Sequence, residues 1–443
     1  MKMKQMYKNL KAIVPVVLVS VLVLLGAFAV VNAQGQDDGA KPANEVKEDK
    51  ATYKYLAGLK LKEIATEDTY ILTDGKATVL YINETAIEEN LDENLPNKIT
   101  KEEALEISDK LCGEGYTLER ITENPYDFDI LYKRYINGAQ VFGGNCYVSI
   151  NSKTGEVGAY RKLTFDIPKL DKPKISKEKI KEKTGADADL VVIPHTNKLV
   201  WMTKENRLMR MFDANTGKEL NETESKKIMN ELMKTDDGIG NLKKKSTTAR
   251  YSTRSINNDE GAVFRDNDDM CDDDIQKAEA SMETKRPNNQ PAWDSNAADW
   301  GIVNYESTVN SILKDYEGVY YSGHGNNNCI GLGGSTQYCN NEVDTGLQTR
   351  LFVVSACYAG GNNFGTTVNN NGVTCVIGAS GTISDTWWDE CGNWADSFWD
   401  KATGNKDAGY QRSAHTARVQ ANSGTWFDYC DLNTEKGSCS IYI

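Results

Sequence analysis

Apolar positions along the chain follow three regimes. They are continuous from Ala12 to Val31, form short β-rich runs and amphipathic stretches from about Tyr53, and in the last third condense into compact runs. In the middle regime, Ala77 to Ile82 predicts a strand. Thr100-Lys101-Glu102-Glu103 has the capping-box spacing, and Ala104, Leu105, Ile107 and Leu111 follow at helical intervals, which predicts a helix. Three runs of the last third, Gly318-Val319-Tyr320-Tyr321, Leu351-Phe352-Val353-Val354 and Val373-Thr374-Cys375-Val376-Ile377, are apolar on both alternating positions. That pattern predicts strands of a parallel sheet covered on both faces by helices, and the connections 322–350 and 355–372 are long enough for crossovers. Helix-like segments run from about Ile275, from Trp394 to Ala402 and from Ala408 to Ala421.

The middle regime contains a repeat. Ile99-Thr100-Lys101-Glu102 recurs in kind as Ile175-Ser176-Lys177-Glu178, each opening a helix-like segment. The first unit closes with Ile150-Asn151-Ser152-Lys153-Thr154-Gly155-Glu156-Val157 and the second with Phe212-Asp213-Ala214-Asn215-Thr216-Gly217-Lys218-Glu219-Leu220. A Thr-Gly between β-rich runs reads as a hairpin turn, where glycine supplies the positive φ. Two copies of an α+β unit are expected ahead of an α/β region.

The 443 residues suit two or three domains of roughly 150 residues each. With 39% hydrophobic and 26% charged residues the chain is neither disordered nor a polytopic membrane protein. The net charge of −13 argues against nucleic acid as a partner. Residues 255–443 hold 11 basic and 26 acidic residues, so this region alone carries −15. Five cations and no acids lie between Lys243 and Arg254. The organisation read from these shifts is an export segment (1–33), a tether leading into folded chain (34–98), the duplicated region (99–222), a basic linker (223–254) and the acidic α/β region (255–443).

Lys2, Lys4, Lys8 and Lys11 precede the apolar run, and Val31-Asn32-Ala33 follows it as a small-residue cleavage site. This is the layout of a signal peptide ending at Ala33, with a retained membrane anchor as the alternative. Cleavage would take the net charge from −13 to −17 by removing the four lysines. Either way the protein is expected to be secreted or at the cell surface, touching membrane only through an uncleaved N-terminal segment. Export favours disulfides among the ten cysteines. Proximity suggests Cys112/Cys146, Cys329/Cys339, Cys375/Cys391 and Cys430/Cys439, leaving Cys271 and Cys357 over. No C-x2-C pair supports zinc.

Candidate chemistry gathers where ligands collect in open α/β sheets, at strand C-terminal ends. Ser322-Gly323-His324-Gly325 follows the first apolar run and Ser355-Ala356-Cys357-Tyr358-Ala359-Gly360-Gly361 the second. Adjacent parallel strands would bring an imidazole beside a thiol, the parts needed for acyl transfer through a thioester. The chain has three histidines and no H-E-x-x-H. His195 and His415 lack such neighbours. Asp266, Asp268, Asp269, Asp272, Asp273 and Asp274 form an acidic cluster, read either as oxygen ligands for calcium, without EF-hand spacing, or as acids at a helix start.

The segment Leu131 to Val157, with Tyr135-Ile136-Asn137-Gly138-Ala139-Gln140-Val141-Phe142-Gly143-Gly144, resembles the PepSY-type propeptide region found ahead of thermolysin-like proteases. So do Leu190-Val191-Val192-Ile193-Pro194, Leu199-Val200-Trp201 and Arg210-Met211-Phe212-Asp213-Ala214 in the second unit. Tyr320-Tyr321-Ser322-Gly323-His324-Gly325, with Ala356-Cys357-Tyr358-Ala359-Gly360, resembles the His-Gly and Ala-Cys motifs of the caspase-like cysteine peptidases, the group of caspases, metacaspases, legumain, clostripain and gingipains. This second similarity extends over about residues 300–421. It implies a caspase-like, mostly parallel sheet and no required cofactor. Cys357 would be the nucleophile, His324 the proton donor, and the amides of Gly325 and Cys357 the oxyanion hole.

Metacaspases and clostripain carry an aspartate two positions before the cysteine, whereas this chain has Ser355. Ser355, Asp385, Trp387 and Trp388 are the candidate substrate-binding residues, and the acidic region, the basic linker and Asp385 with Trp387 and Trp388 still favour Lys or Arg before the cleaved bond. The expected partners are protein or peptide substrates and an intramolecular propeptide, with Lys245, Arg250 and Arg254 as candidate processing positions. The alternatives are a non-catalytic cell-surface binding protein of the same fold, or a serine hydrolase using Ser380.

Overall fold

A computed structural model describes residues 70–224, 261–283, 297–383, 390–404, 411–424 and 430–443, less 74–75, 83–85, 88–91, 93, 166, 168–169, 195, 197, 206–207, 222, 269–270 and 361–362. The export segment, the linker from residue 225, and His195, Lys245, Arg250, Arg254, Asp269, Asp385, Trp387 and Trp388 lie outside these residues.

The protein is a mixed α/β structure. Strands β1 (Tyr70–Thr73) and β2 (Lys76–Ile82) precede helix α1 (Lys101–Cys112). The capping box is formed: Glu103 N–H donates to Thr100 Oγ1, and Thr100 N–H to the Glu103 carboxylate. Strands β3 (Tyr116–Glu123), β4 (Asp127–Ile136), β5 (Ala139–Asn151) and β6 (Val157–Phe165) follow as an antiparallel meander. Helix α2 (Lys177–Thr184) and strands β7 (Ala188–Ile193), β8 (Lys198–Glu205) and β9 (Leu208–Asp213) continue the same sheet. The two Thr-Gly turns are built alike. Gly155 N–H donates to Asn151 O and Gly217 N–H to Asp213 O, both at 2.8 Å, and both glycines have positive φ.

The remaining strands build a second sheet in the order β11-β10-β12-β15-β16-β17. These are β10 (Gly261–Arg265), β11 (Ala298–Ile302), β12 (Gly318–Ser322), β15 (Leu351–Ser355), β16 (Cys375–Gly378) and β17 (Thr434–Gly437). All pairings are parallel except β16 with β17. Helices α3 (Asp272–Glu283), α6 (Glu390–Thr403) and α7 (Ala414–Gly424) cover one face, meeting Val263, Tyr320, Val353 and Ile377. Helices α4 (Glu306–Asp315) and α5 (Asn363–Asn370) cover the other, meeting Phe264, Val319, Phe352 and Val376. Strands buried on both faces explain why the pattern shows no alternation.

The crossover from β12 to β15 carries a hairpin, β13 (Cys329–Gly331) with β14 (Gln337–Cys339), closed by Cys329–Cys339. The disulfides depart from proximity. Cys112–Cys146 and Cys329–Cys339 pair as expected, but the others are Cys375–Cys439 and Cys391–Cys430. The reason is tertiary: the antiparallel pairing of β17 with β16 brings the C-terminal residues beside Cys375, and Cys391 at the start of α6 lies over Cys430. Cys271 and Cys357 are free.

Candidate functional site

Strands β12 and β15 run parallel and in register, with Ser322 opposite Ser355 at their C-terminal ends. The pairing continues one step further, where Gly323 N–H donates to Ser355 O at 3.1 Å. His324 and Cys357 each follow their strand end by two residues, so they emerge side by side at the same edge of the sheet. Glycine is required between them. A Cβ on Gly325 would stand 2.7 Å from Ala356 Cβ and 3.1 Å from Cys357 O.

The His324 loop is fixed from three directions. Tyr321 hydroxyl lies 3.0 Å from His324 O and 2.9 Å from Gly331 O. Gly331 N–H, on the disulfide-closed hairpin, donates to His324 O at 2.8 Å. From the end of β10, buried Asp266 accepts His324 N–H at 2.6 Å through Oδ2, and the same oxygen lies 3.4 Å from imidazole Nδ1. Asp268 stands 3.7 Å from Nδ1. The imidazole is about half exposed.

The acidic cluster is thus distributed over separate partners. Arg265 pairs with Asp272 at 2.6 Å and donates to the carbonyls of Asp266 and Asp268, while Asp274 accepts from buried Ser322 Oγ. Among the described residues no three acids, histidines or cysteines converge on a metal position. In the sequence Asp266 stands only within the acidic cluster, and its contact with His324 emerges from the fold. Its signal was Gly261-Ala262-Val263-Phe264-Arg265, a fourth short β-rich run with an acid at its C-terminal end.

Cys357 is half-buried, its Sγ 3.3 Å from Ile383 O. Its turn is clamped to the segment after β16: Tyr358 N–H donates to Gly381 O at 2.8 Å and Gly360 N–H to Ala379 O at 3.2 Å. Tyr358 has φ 59°, a left-handed conformation disfavoured for a bulky residue and held here by that clamp. The amides on either side, Ala356 and Tyr358, are bonded, but those of Cys357 and Gly325 donate to no acceptor among the described residues. Unbonded backbone N–H groups beside a thiol are of the kind that can take the charge of a tetrahedral oxyanion.

Ser355 is fully buried, its Oγ 3.6 Å from Cys430 Sγ, so it forms part of the floor and does not line an open pocket. Ser380 is held by Asn433, whose Oδ1 accepts from Ser380 N–H at 3.0 Å. Buried His415 bonds Glu435 at 2.9 Å.

No family model matches the chain. Two solved structures are similar at low TM-score. One is the Bacillus megaterium YpeB C-terminal domain (TM-score 0.25, 14% identity, covering 40% of this chain and 97% of that one). The other is the Arg-specific cysteine proteinase gingipain R (TM-score 0.28, 10% identity, covering 41% of this chain and 47% of that one). An uncharacterised protein of Archaeoglobus fulgidus is 44% identical over 210 residues, 42% of this chain and 81% of the relative. A second uncharacterised protein of the same organism is 38% identical over 317 residues, 66% of this chain and 99% of its own length. That identity over essentially the whole relative shows that the chain belongs to the same family as this Archaeoglobus fulgidus protein.

Proposed function

We propose that the protein is an exported cysteine endopeptidase of caspase-like fold working through Cys357 and His324. The observation that carries this reading is the register of β12 with β15, which makes neighbours of the segments bearing the imidazole and the thiol. In the reaction, Cys357 sulfur as thiolate attacks the scissile carbonyl carbon, and the resulting oxyanion is taken by the amides of Gly325 and Cys357. The C–N bond breaks as the imidazolium of His324 gives its proton to the leaving amine. Water then attacks the thioester, losing one proton to His324; the C–S bond breaks to release the carboxylic acid and restore the Cys357 thiolate beside the imidazolium. Asp266 orients the ring from the Nδ1 side, the role of a third group in such constellations.

In this reading the substrates are proteins or peptides with Lys or Arg before the cleaved bond, favoured by the acidic character of residues 255–443. The N-terminal half serves as a propeptide-like partner, with processing near Lys245, Arg250 or Arg254. Four disulfides suit an oxidising compartment outside the cytosol. The test is expression of wild type beside Cys357→Ala, mapping the mature N-terminus and assaying a fluorogenic peptide library. Cleavage and hydrolysis present in wild type and absent in the variant are expected; equal hydrolysis in both would overturn the assignment.

A further inference from the structure

The two sheets are joined through a buried charged junction. Arg418 on α7 has no exposed surface; its guanidinium donates to Asp127 at 2.9 Å and to Asp129 at 2.7 Å, both on β4, and also pairs with Glu435 on β17. Around it the hydrogen bonding alternates between the two halves. Asn124 donates to Asn433 O at 3.2 Å, Glu435 N–H to Asn124 Oδ1 at 3.1 Å, and Asn433 to Thr122 at 2.7 Å. Arg120 on β3 pairs with Asp431. The apolar packing is shared too. Tyr126 lies in the core that α6 and α7 form over the second sheet, its ring 5.1 Å from that of His415. Val419 inserts among Ile87, Leu131, Tyr147 and Ala159 of the first half.

We infer that the N-terminal sheet is a permanent subunit, so that cleavage in the 225–260 segment converts the chain into a two-chain particle without releasing it. Separation would strip Arg418 of two of its three carboxylates and strand Asp127 and Asp129 without their counter-ion. Such buried charges have no inexpensive alternative state. The junction also adjoins the candidate site, since Asn433 joins Thr122 of β3 to Ser380, in the segment whose Gly381 and Ile383 carbonyls face Tyr358 and Cys357. The retained sheet therefore reaches, through Asn433, the segment that faces Cys357. This inference concerns the partner of the site proposed above, but the junction itself does not depend on catalysis.

The experiment uses the full chain carrying Cys357→Ala with a site-specific protease sequence inserted between Lys245 and Arg250, cut by the added protease. The two fragments are expected to co-elute in size-exclusion chromatography at 0.15 M and at 1 M NaCl, because buried pairs are little screened. They should part only in denaturant. Fragments eluting separately under native conditions would overturn the inference and leave the peptidase reading untouched. A second sample with Arg120→Ala, which removes the pair with Asp431 and the 3.7 Å pair with Asp129 but leaves Arg418 in place, is expected to co-elute as well; its separation would show that the Arg418 junction is insufficient and would also overturn the inference. Loss of peptidase activity in the wild-type site, with co-elution intact, would instead count against the peptidase reading alone.

Discussion

One carboxylate oxygen of Asp266 both accepts the backbone N–H of His324, at 2.6 Å, and faces the imidazole Nδ1, at 3.4 Å. A single oxygen thereby sets the loop carrying the histidine and the orientation of its ring. Asp266→Asn is expected to lower kcat by about 100-fold, within the range for positioned acid–base groups, with KM within about threefold. The pH–rate profile should shift with it. An equal loss on Asp268→Asn, which lies farther away, would argue against this special role.

The turn after Cys357 touches β16 at Gly360 and Gly378, where a Cβ on Gly378 would fall 2.5 Å from Gly360 Cα. Backbone cannot yield there as a flexible side chain can. Gly378→Ala is expected to destabilise the fold by at least about 2 kcal/mol and lower Tm by several degrees. An unchanged Tm would mean that the two segments separate freely.

Cys329–Cys339 closes the hairpin whose Gly331 N–H holds His324 O. Changing both cysteines to serine should cost about 2–3 kcal/mol of stability, and peptidase activity should fall further than the unfolded fraction accounts for. Peptide mapping without reduction should also recover the Cys375–Cys439 and Cys391–Cys430 pairs.

The junction around Arg418 titrates in two directions. Burial, and then Asp431 and Asp127, raise Asp129 to about 7 against the pull of Arg418 and Arg120. Burial also acts to raise Glu435, but His415 and Arg418 outweigh it and bring it down to about 2. Stability linked to Asp129, whose ordinary value is 3.8, is full below that value and falls as pH rises through about 7. Stability linked to Glu435 is full above its ordinary 4.5 and is lost as pH falls toward about 2. Tm is therefore expected to peak between about pH 3.8 and 4.5 and to decline toward pH 7, and Asp129→Asn should flatten that decline. A Tm that climbs steadily through pH 8 in wild type would contradict this.

Arg418→Met removes the cation and leaves Asp127 and Asp129 buried beside apolar surface. The expected loss is about 3–5 kcal/mol, read by denaturant unfolding of the full chain. Adding Asp127→Asn and Asp129→Asn to it should restore part of that loss.

The capping box at Thr100, the runs of β12, β15 and β16, and the placement of His324 and Cys357 after two of them were legible because each depends on local spacing and on burial of both strand faces. Asp266 was not, since its meaning comes from β10 pairing beside β12 across more than fifty intervening residues. The burial of Ser355 against Cys430 was likewise not legible, because its direction depends on which helix layer lies beneath that strand. The swapped cysteine pairs and the Arg418 junction share this cause: both arise where the C-terminal strand β17 folds back, and nothing local in the sequence marks its return.

Arg418 meets Asp127 and Asp129 across 291 and 289 residues of chain. During synthesis the N-terminal sheet emerges long before the guanidinium that neutralises it. Until the last turn of assembly its two aspartates and the apolar surface around Leu131 and Tyr147 stay open to water, so final locking is one of the slow, high-contact-order events of folding. A chain truncated before α7 should therefore be handled by the cell as unfinished, even with β1 to β16 already made.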